Sequence, residues 1–413
     1  MNPKETLLQE IRIGNRVCRN RFFMQAMECN DEDENGNPSV LTYDRYRKLM
    51  EGRAGLVSLE AVTVTRESRS RDNQLTILAE NRKPLKKFVT EVKAANPQSL
   101  FIFQLTHSGE LSHPDFSRRV TVNPLYGYGG DQLEESDIER IMDEFVLAAK
   151  ITHDAGADGI DLKLCHGYLG SQILRPYNNR KWKYGGTWEN RSRFAFDLAE
   201  RIMKEVNDKD FIIGSKVSAW EGFPGGFGTD GPDSPIIDFT EPTALLKGLE
   251  DRGASYFIQS AGSPSITISL TQADKYHPYF AYLHQYFSKV LKNELKAETV
   301  MIGSNFSLFR DGKNGLSAVS PEKSSLLNYG TWCIEQGIMD MIGLGRQSLA
   351  DPMLPLKLEE DRGNEINYCI GCDNCLELLI QQSQVGCSTF NRDYTEVLRE
   401  TREKKGKLIV KHT

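Results

Sequence analysis

Several absences narrow the reading of this chain. No apolar run reaches the ~18 residues that a membrane span requires; the longest candidate, 55–64, is interrupted by Glu60. There is no surplus of positive charge either. The formal charge is −6, which argues against the basic stripe of a nucleic-acid binder and against adhesion to an anionic membrane. The N-terminus, Met-Asn-Pro-Lys-Glu-Thr, has no basic stretch followed by an apolar core. No signal peptide is therefore expected, and the expected location is cytoplasmic. Internal repeats and low-complexity tracts are missing. No Gly-x-Gly-x-x-Gly follows an apolar run, since Gly225-Gly226-Phe227-Gly228 has the wrong spacing. An internal Rossmann-type nucleotide domain is excluded on that ground, and a nicotinamide cofactor would have to visit as a substrate.

What is present is a rhythm. Short apolar runs occupy 21–27, 54–62, 99–105, 157–163, 211–217, 254–259, 299–303 and 339–344. Helix-like stretches separate them, at about 43–51, 84–95, 188–206, 242–252 and 321–337, with one more opening at Ser136 through a Ser136/Glu139 capping box. Buried strands alternating with helices imply an α/β chain with a parallel sheet. The strand count favours a closed (β/α)₈ TIM barrel over an open sheet. Long connections are expected after strand 5 (221–238) and strand 6 (260–298). The barrel is expected to take 1–365, and 366–413 to form a cysteine-rich segment and tail packed on it.

Active sites of such barrels lie at the carboxyl ends of the strands. Lys163, His166 and Tyr168 follow the fourth run and bring three donors to one place. Gly303-Ser304 and Gly345-Arg346 end the seventh and eighth runs, where barrels commonly hold phosphate. The eight cysteines are unevenly spread. Cys369, Cys372, Cys375 and Cys387 are gathered near the C-terminus, which reads as metal ligation rather than disulfides in a reducing compartment. Four thiolates suit an iron–sulfur cluster or structural zinc, and spacing separates the two poorly.

Taken together the motifs Asn20-Arg21, Phe103-Gln104-Leu105-Thr106-His107-Ser108-Gly109, His166-Gly167-Tyr168-Leu169, Tyr184-Gly185-Gly186, Glu189-Asn190-Arg191, and Gly345-Arg346 with Leu349-Ala350-Asp351-Pro352 span nearly the whole chain. On them the chain resembles the Old Yellow Enzyme family of FMN-dependent oxidoreductases. It most resembles the barrel portion of the 2,4-dienoyl-CoA reductase and trimethylamine dehydrogenase branch. The resemblance implies FMN, with Ala26 and Met27 beside the ring, Gln104 at the pyrimidine edge and Lys216 near N1 and O2. Gly303, Ser304, Gly345 and Arg346 would form the phosphate cradle. It implies Tyr168 as proton donor and His166, with Lys163 in place of a first histidine, on the substrate's activating oxygen. Lys163 adds a charge, which points to an anionic or differently placed substrate. Glu28 stands where many members have Thr or Cys near flavin O4. A carboxylate there disfavours a reduced, anionic flavin unless it turns away or protonates; it can instead pair with a neighbouring cation, and no catalytic role is assigned to it.

The resemblance further implies a 4Fe–4S cluster on Cys369, Cys372, Cys375 and Cys387, with zinc or no metal as the alternatives. Only 388–413 follows, so the second flavin domain of long relatives is not expected here, and a cluster would need an external electron-transfer partner. The expected activity is reduction of an activated C=C bond in a small molecule with hydride from NADH or NADPH. Three rivals stand beside it: an oxidative amine demethylase, a non-redox phosphate-binding lyase with structural zinc, and a silent flavin-holding protein. A homo-oligomer is compatible with the resemblance, but no interface signal is visible.

Overall fold

The structure is a computed structural model and describes residues 2–125, 129–312 and 325–411. Eight parallel strands close into a barrel: β1 Phe22–Met24, β2 Leu56–Thr63, β3 Leu100–Thr106, β4 Gly159–Leu164, β5 Ile212–Ser218, β6 Tyr256–Ser260, β7 Val300–Gly303 and β8 Met341–Leu344. Each pairs with its neighbour in chain order, and β8 pairs with β1 to close the ring. All eight coincide with the apolar runs. Both faces of such a strand are buried, so the runs read as nearly continuous apolar sequence.

Side-chain alternation divides the core in two. Phe101, Phe103 and Leu105 of β3, Ile160, Leu162 and Leu164 of β4, and Ile213 and Val217 of β5 point outward to the helices. Leu100, Ile102, Ile212, Tyr256 and Ile258 point inward and fill the amino-terminal half of the barrel. A two-stranded ribbon, Ile11–Ile13 with Arg16–Cys18, adds Ile13 and Cys18 to that inner cluster. The same alternation carries Gln104, Asp161, Lys163, Lys216 and Ser260 inward at the carboxyl-terminal half, where the filling becomes polar.

The main helices of the outer layer are Val40–Glu51, Arg82–Ala95, Glu135–Ala155, Trp188–Val206, Thr240–Glu250, Tyr279–Lys292 and Leu326–Glu335. Three details refine the sequence expectation. The Ser136 helix opens earlier, at Glu135, where the Asp137 carboxylate accepts from the Glu134 N–H at 3.0 Å. The long connection expected after β6 carries the helix Tyr279–Lys292, whose His284 and Phe287 are buried. The helix expected from 321 is described from Leu326 onward, and 321–324 lies outside the described residues.

Gly214 shows how tightly the interior is filled. A Cβ there would stand 2.4 Å from ring carbons of Tyr256, a fully buried side chain whose hydroxyl donates to the Ile160 carbonyl at 2.7 Å. Gly214→Ala is therefore expected to cost about 1–3 kcal/mol through overpacking. It should appear as a lower urea midpoint at unchanged slope. An unchanged midpoint would mean that Tyr256 has room to move.

Candidate active site

A cavity of about 560 Å³ opens at the carboxyl ends of the strands, within the range of small-molecule and cofactor sites. It collects residues far apart in the chain. Lys163, His166 and Tyr168 come from the end of β4, Gln104 from β3, Lys216 from β5, Ala26 and Met27 from the loop after β1, and Ser304, Gly345 and Arg346 from the ends of β7 and β8. Gly303 is the exception. Its Cβ position faces the Met339 sulfur at 2.2 Å, so its bare α-carbon serves packing between β7 and β8, and it does not line the cavity.

The floor is a linked set of polar groups. Asp161 Oδ2 accepts from Gln104 Nε2 at 2.5 Å, and Asp161 Oδ1 accepts from the Lys216 backbone N–H at 2.6 Å. Lys216 Nζ donates to Gln25 Oε1 at 2.5 Å, and Gln25 Nε2 donates to Ser304 Oγ at 3.1 Å. Burial pulls the Lys216 ammonium below the usual lysine range; the nearby Cys165 and Asp161 oppose that shift. Asp161 and Gln25 were not singled out by sequence reasoning. Asp161 had a legible signal, standing two residues before Lys163 on the same face of β4.

The wall above is charged. Glu28 Oε1 accepts from Lys163 Nζ at 2.8 Å and from the Tyr168 hydroxyl at 2.7 Å, and Arg71 Nε stands 3.3 Å from Oε2. Burial alone would raise the Glu28 carboxyl, but Lys163 and Arg71 outweigh it and hold the group at about 2. Burial would lower Lys163, and Glu28 instead raises it. Lys163 is thus not the free cation expected for an anionic substrate; its charge is matched by the carboxylate that the sequence reading left unassigned. His166 accepts the rare left-handed backbone at φ 62°, and its Nε2 lies 2.7 Å from Ser260 Oγ. Burial, with Lys216 and Lys163 nearby, drives its pKa well below the ordinary histidine value, so it is a neutral hydrogen-bonding group.

At the far end, Arg346 is less free than expected. Its guanidinium donates to Asp373 Oδ1 at 2.7 Å and to the Ala273 carbonyl at 2.6 Å. Beside it, a Cβ on Gly345 would meet only the Met27 sulfur, at 3.4 Å. Asn305 lines the cavity with a buried Nδ2 that has no hydrogen-bond partner. An unpaired buried donor is costly, and an anionic oxygen at this end would satisfy it. A flavin mononucleotide fits these residues: polar partners for a ring edge at Gln104 and Lys216, and a donor set at Ser304, Gly345, Asn305 and Arg346 for a phosphate.

Cys369, Cys372, Cys375 and Cys387 line a single small cavity of about 20 Å³. Cys375 and Arg346 line both this space and the larger one, so the thiols sit next to the candidate phosphate end. The loop is tied down by Gln347, whose Oε1 accepts from the Cys369 N–H at 2.9 Å and whose Nε2 donates to the Asn367 carbonyl at 2.9 Å. Positive φ at Gly371 and Asp373 makes the tight turn. The helix after it, Asn374–Ile380, buries Leu378 against Cys29, Val385 and Leu398. Ile380 is 63% exposed, and Leu376 and Leu379 line the larger cavity. Among the described residues, the three metal-donor groups gathered within 4.8 Å are Asp31, Glu32 and Glu60 rather than three of these thiols.

Comparison with known proteins agrees with this geometry. The profile of the NADH:flavin oxidoreductase / NADH oxidase family matches residues 6–303, and the chain belongs to that family. It is 29% identical over 376 residues to an NADH oxidase of Thermoanaerobacter brockii, covering 89% of this chain and 52% of that protein. It is 28% identical to an NADPH dehydrogenase of Clostridium acetobutylicum over 362 residues, covering 86% of this chain and 95% of that one. A solved structure of a 2-naphthoyl-CoA reductase with 2-naphthoyl-CoA superposes with a TM-score of 0.78 at 20% identity, over 96% of this chain and 58% of the other. That last likeness concerns the fold. The chain spans about half the length of the first of these relatives. Among the described residues no helix is long and apolar enough to cross a membrane.

Proposed function

We propose that this chain is an FMN-dependent oxidoreductase that takes hydride from NADH or NADPH and reduces the C=C bond of an electron-poor small molecule. The observation that carries the reading is one cavity in which a flavin-sized set of donors faces a proton-donating wall. Bound FMN would supply the hydride-transferring ring. Gln104 and Lys216 would hold its polar edge, with Asp161 orienting Gln104 and Gln25 steadying Lys216. Ser304, Gly345, Asn305 and Arg346 would hold the phosphate.

The remaining work belongs to the chain's own residues. His166, neutral and steadied by Ser260, donates to the carbonyl oxygen of the acceptor. Tyr168 protonates the α-carbon. Lys163 supplies the cation that offsets the negative charge left on the phenol oxygen. Hydrogen bonds of this kind, preorganised in a site that excludes water, carry much of such an acceleration. The amine-demethylase rival gains nothing from the lining. Among the described residues, Tyr168 is the one phenol or indole ring there, and Lys163 already occupies its face with Nζ 3.4 Å from the ring centroid. An aromatic cage for a substrate cation needs free ring faces.

Denaturing the purified chain is expected to release FMN. Absence of FMN, with no rebinding on reconstitution, would overturn the proposal. For the thiols, their gathering round one small cavity beside Arg346 supports a shared metal centre, and 4Fe–4S is the reading. An external redox partner would then exchange electrons with it, and Cys372, the exposed member of the set, would face that partner. Iron and acid-labile sulfide at about four each per chain are expected from anaerobic protein for such a cluster. One zinc per chain would make the site structural, and four free thiols without metal would refute it.

A further inference from the structure

Glu28 stands between the proton donor and its cation, and nothing in the reduction described above assigns it a task. Its side chain is 9% exposed, and it reaches the cavity from the loop after β1, opposite β4. Oε1 takes two hydrogen bonds, from Lys163 Nζ and from the Tyr168 hydroxyl. Oε2 is buried with no aligned donor, the Arg71 Nε being 3.3 Å away but poorly directed. A carboxylate paired with two cations carries no proton of its own at neutral pH. The hydrogen in the 2.7 Å contact is therefore the single hydroxyl hydrogen of Tyr168. Ser70 Oγ lies 3.4 Å from the same phenol oxygen, so the lone pairs of that oxygen are what remain for the cavity.

We propose that Glu28 is a positioning residue for Tyr168: it holds the phenol proton away from the substrate until transfer and sets the pH at which the phenol ionises. The inference rests on Tyr168 being the proton donor of the proposed reduction. In that step the Tyr168 O–H bond breaks and a C–H bond forms at the α-carbon, using the electron pair of the substrate's enolate. The phenolate left behind recovers its proton from water. It forms 2.7 Å from a carboxylate, which opposes its formation, and beside Lys163, which favours it. Arg71 faces the same carboxylate, and Lys216 is the next cation on the barrel floor. Cys165, packed behind Lys163, stays a neutral thiol because burial raises it to about 12. The groups around the phenol thus divide into one that resists ionisation and a cationic set that promotes it. The direction found for Tyr168 agrees: burial raises its pKa first, Glu28 adds to the rise, and Lys163 and Arg71 oppose it.

The arrangement has a chemical use. A phenol between a carboxylate and an ammonium stays protonated at rest, and gives up its proton only when a stronger acceptor, the α-carbon of an enolate, arrives. Without Glu28 the same phenol would face Lys163 alone and would already be partly ionised at moderately alkaline pH, useless as an acid.

Titration of the whole protein labelled with ¹³Cζ-tyrosine tests this without relying on turnover, with Y168F assigning the resonance. In E28Q the Tyr168 ionisation constant is expected to rise at least tenfold, moving its midpoint down. In K163M the midpoint is expected to move up, because the carboxylate then faces the phenol without its cation. Opposite shifts are the signature, since loosened packing would move both variants the same way. A Tyr168 midpoint in E28Q at or above that of the parent chain overturns the inference. Should E28Q not fold, a K163M midpoint at or below the parent overturns it equally. A chain that reduces no C=C bond but shows both shifts would keep this coupling and lose the proposed reaction.

Discussion

Tyr168→Phe is expected to slow reduction of an enone by the reduced enzyme by about 10²–10⁴-fold, the span that a positioned general acid supplies. The substitution removes one oxygen from a side chain that is otherwise packed. Tyr168 is 5% exposed and stands at the start of the short helix Leu169–Leu174. Its ring lies under Lys163 Nζ, and phenylalanine keeps that contact. What disappears is the hydroxyl and its bond to Glu28. Stopped-flow measurement of the two half-reactions separates the roles. Reduction of the flavin by NAD(P)H needs no proton from Tyr168 and should change little, whereas reoxidation by the enone should show the full loss. Equal slowing of both halves would assign Tyr168 a shaping role only.

Arg45→Met is expected to cost about 3–5 kcal/mol of stability, the penalty for stripping the partner from a buried ion network. Arg45 Nε and Nη2 each donate to an Asp31 carboxylate oxygen at 2.9 Å. Nη2 also donates to Glu60 and lies 3.6 Å from Glu32. All three carboxylates have side chains at most 1% exposed. Glu60 is aimed there by an irregularity of β2 between Leu59 and Ala61, since a bulge redirects one side chain out of the strand's alternation. Burial raises Glu32 and Glu60 above the usual carboxylate range; Glu60 and Asp31 add to the rise at Glu32, Asp31 adds to it at Glu60, and Arg45 opposes both.

The pH dependence follows from that direction. A carboxyl raised in the folded state favours folding below its unfolded value of about 4.5, and that favour is lost as pH rises through the folded value. Without Arg45 these values rise further. The loss in Arg45→Met, measured by urea unfolding, should therefore be larger at pH 8 than at pH 5. An equal loss at the two pH values would refute the electrostatic account and leave the lost stacking of the Arg45 guanidinium on Tyr46, 4.5 Å from its ring centroid. Because Asp31 and Glu32 share a loop with Glu28, the same variant should also loosen the wall of the active site.

The two effects sit at different distances from what could be read in the chain. Tyr168 was legible because it falls just after an apolar run with Lys163 and His166 close by, and the motifs around it match a known family. The Arg45 network was not. Asp31 and Glu32 look like surface acids in a polar stretch, and only the fold brings Glu60 from β2 and Arg45 from the helix Val40–Glu51 to meet them. Glu28 lies between these cases. Its place near the flavin edge is readable from the motifs, and pairing with a cation is one option the sequence leaves open. The partner, Lys163, stands 135 positions away, and no local pattern connects the two.

The sequence by itself determined the barrel, its strands and the end at which the candidate site lies. These are set by short-range properties: a buried parallel strand must be apolar on both faces, and the polar residues that interrupt the pattern, Gln104, Lys163 and Lys216, fall near its carboxyl end. It also grouped four thiols in one segment, and the fold lines them round one small cavity. The tertiary structure alone decided how the charges are spent. Whether Lys163 is a free cation or half of an ion pair, whether Arg346 is open to a phosphate or held by Asp373, and where the Tyr168 proton points all depend on contacts between residues from different strands. Such contacts exist only once the barrel has closed, and charge interactions fall with distance in space, not with separation along the chain.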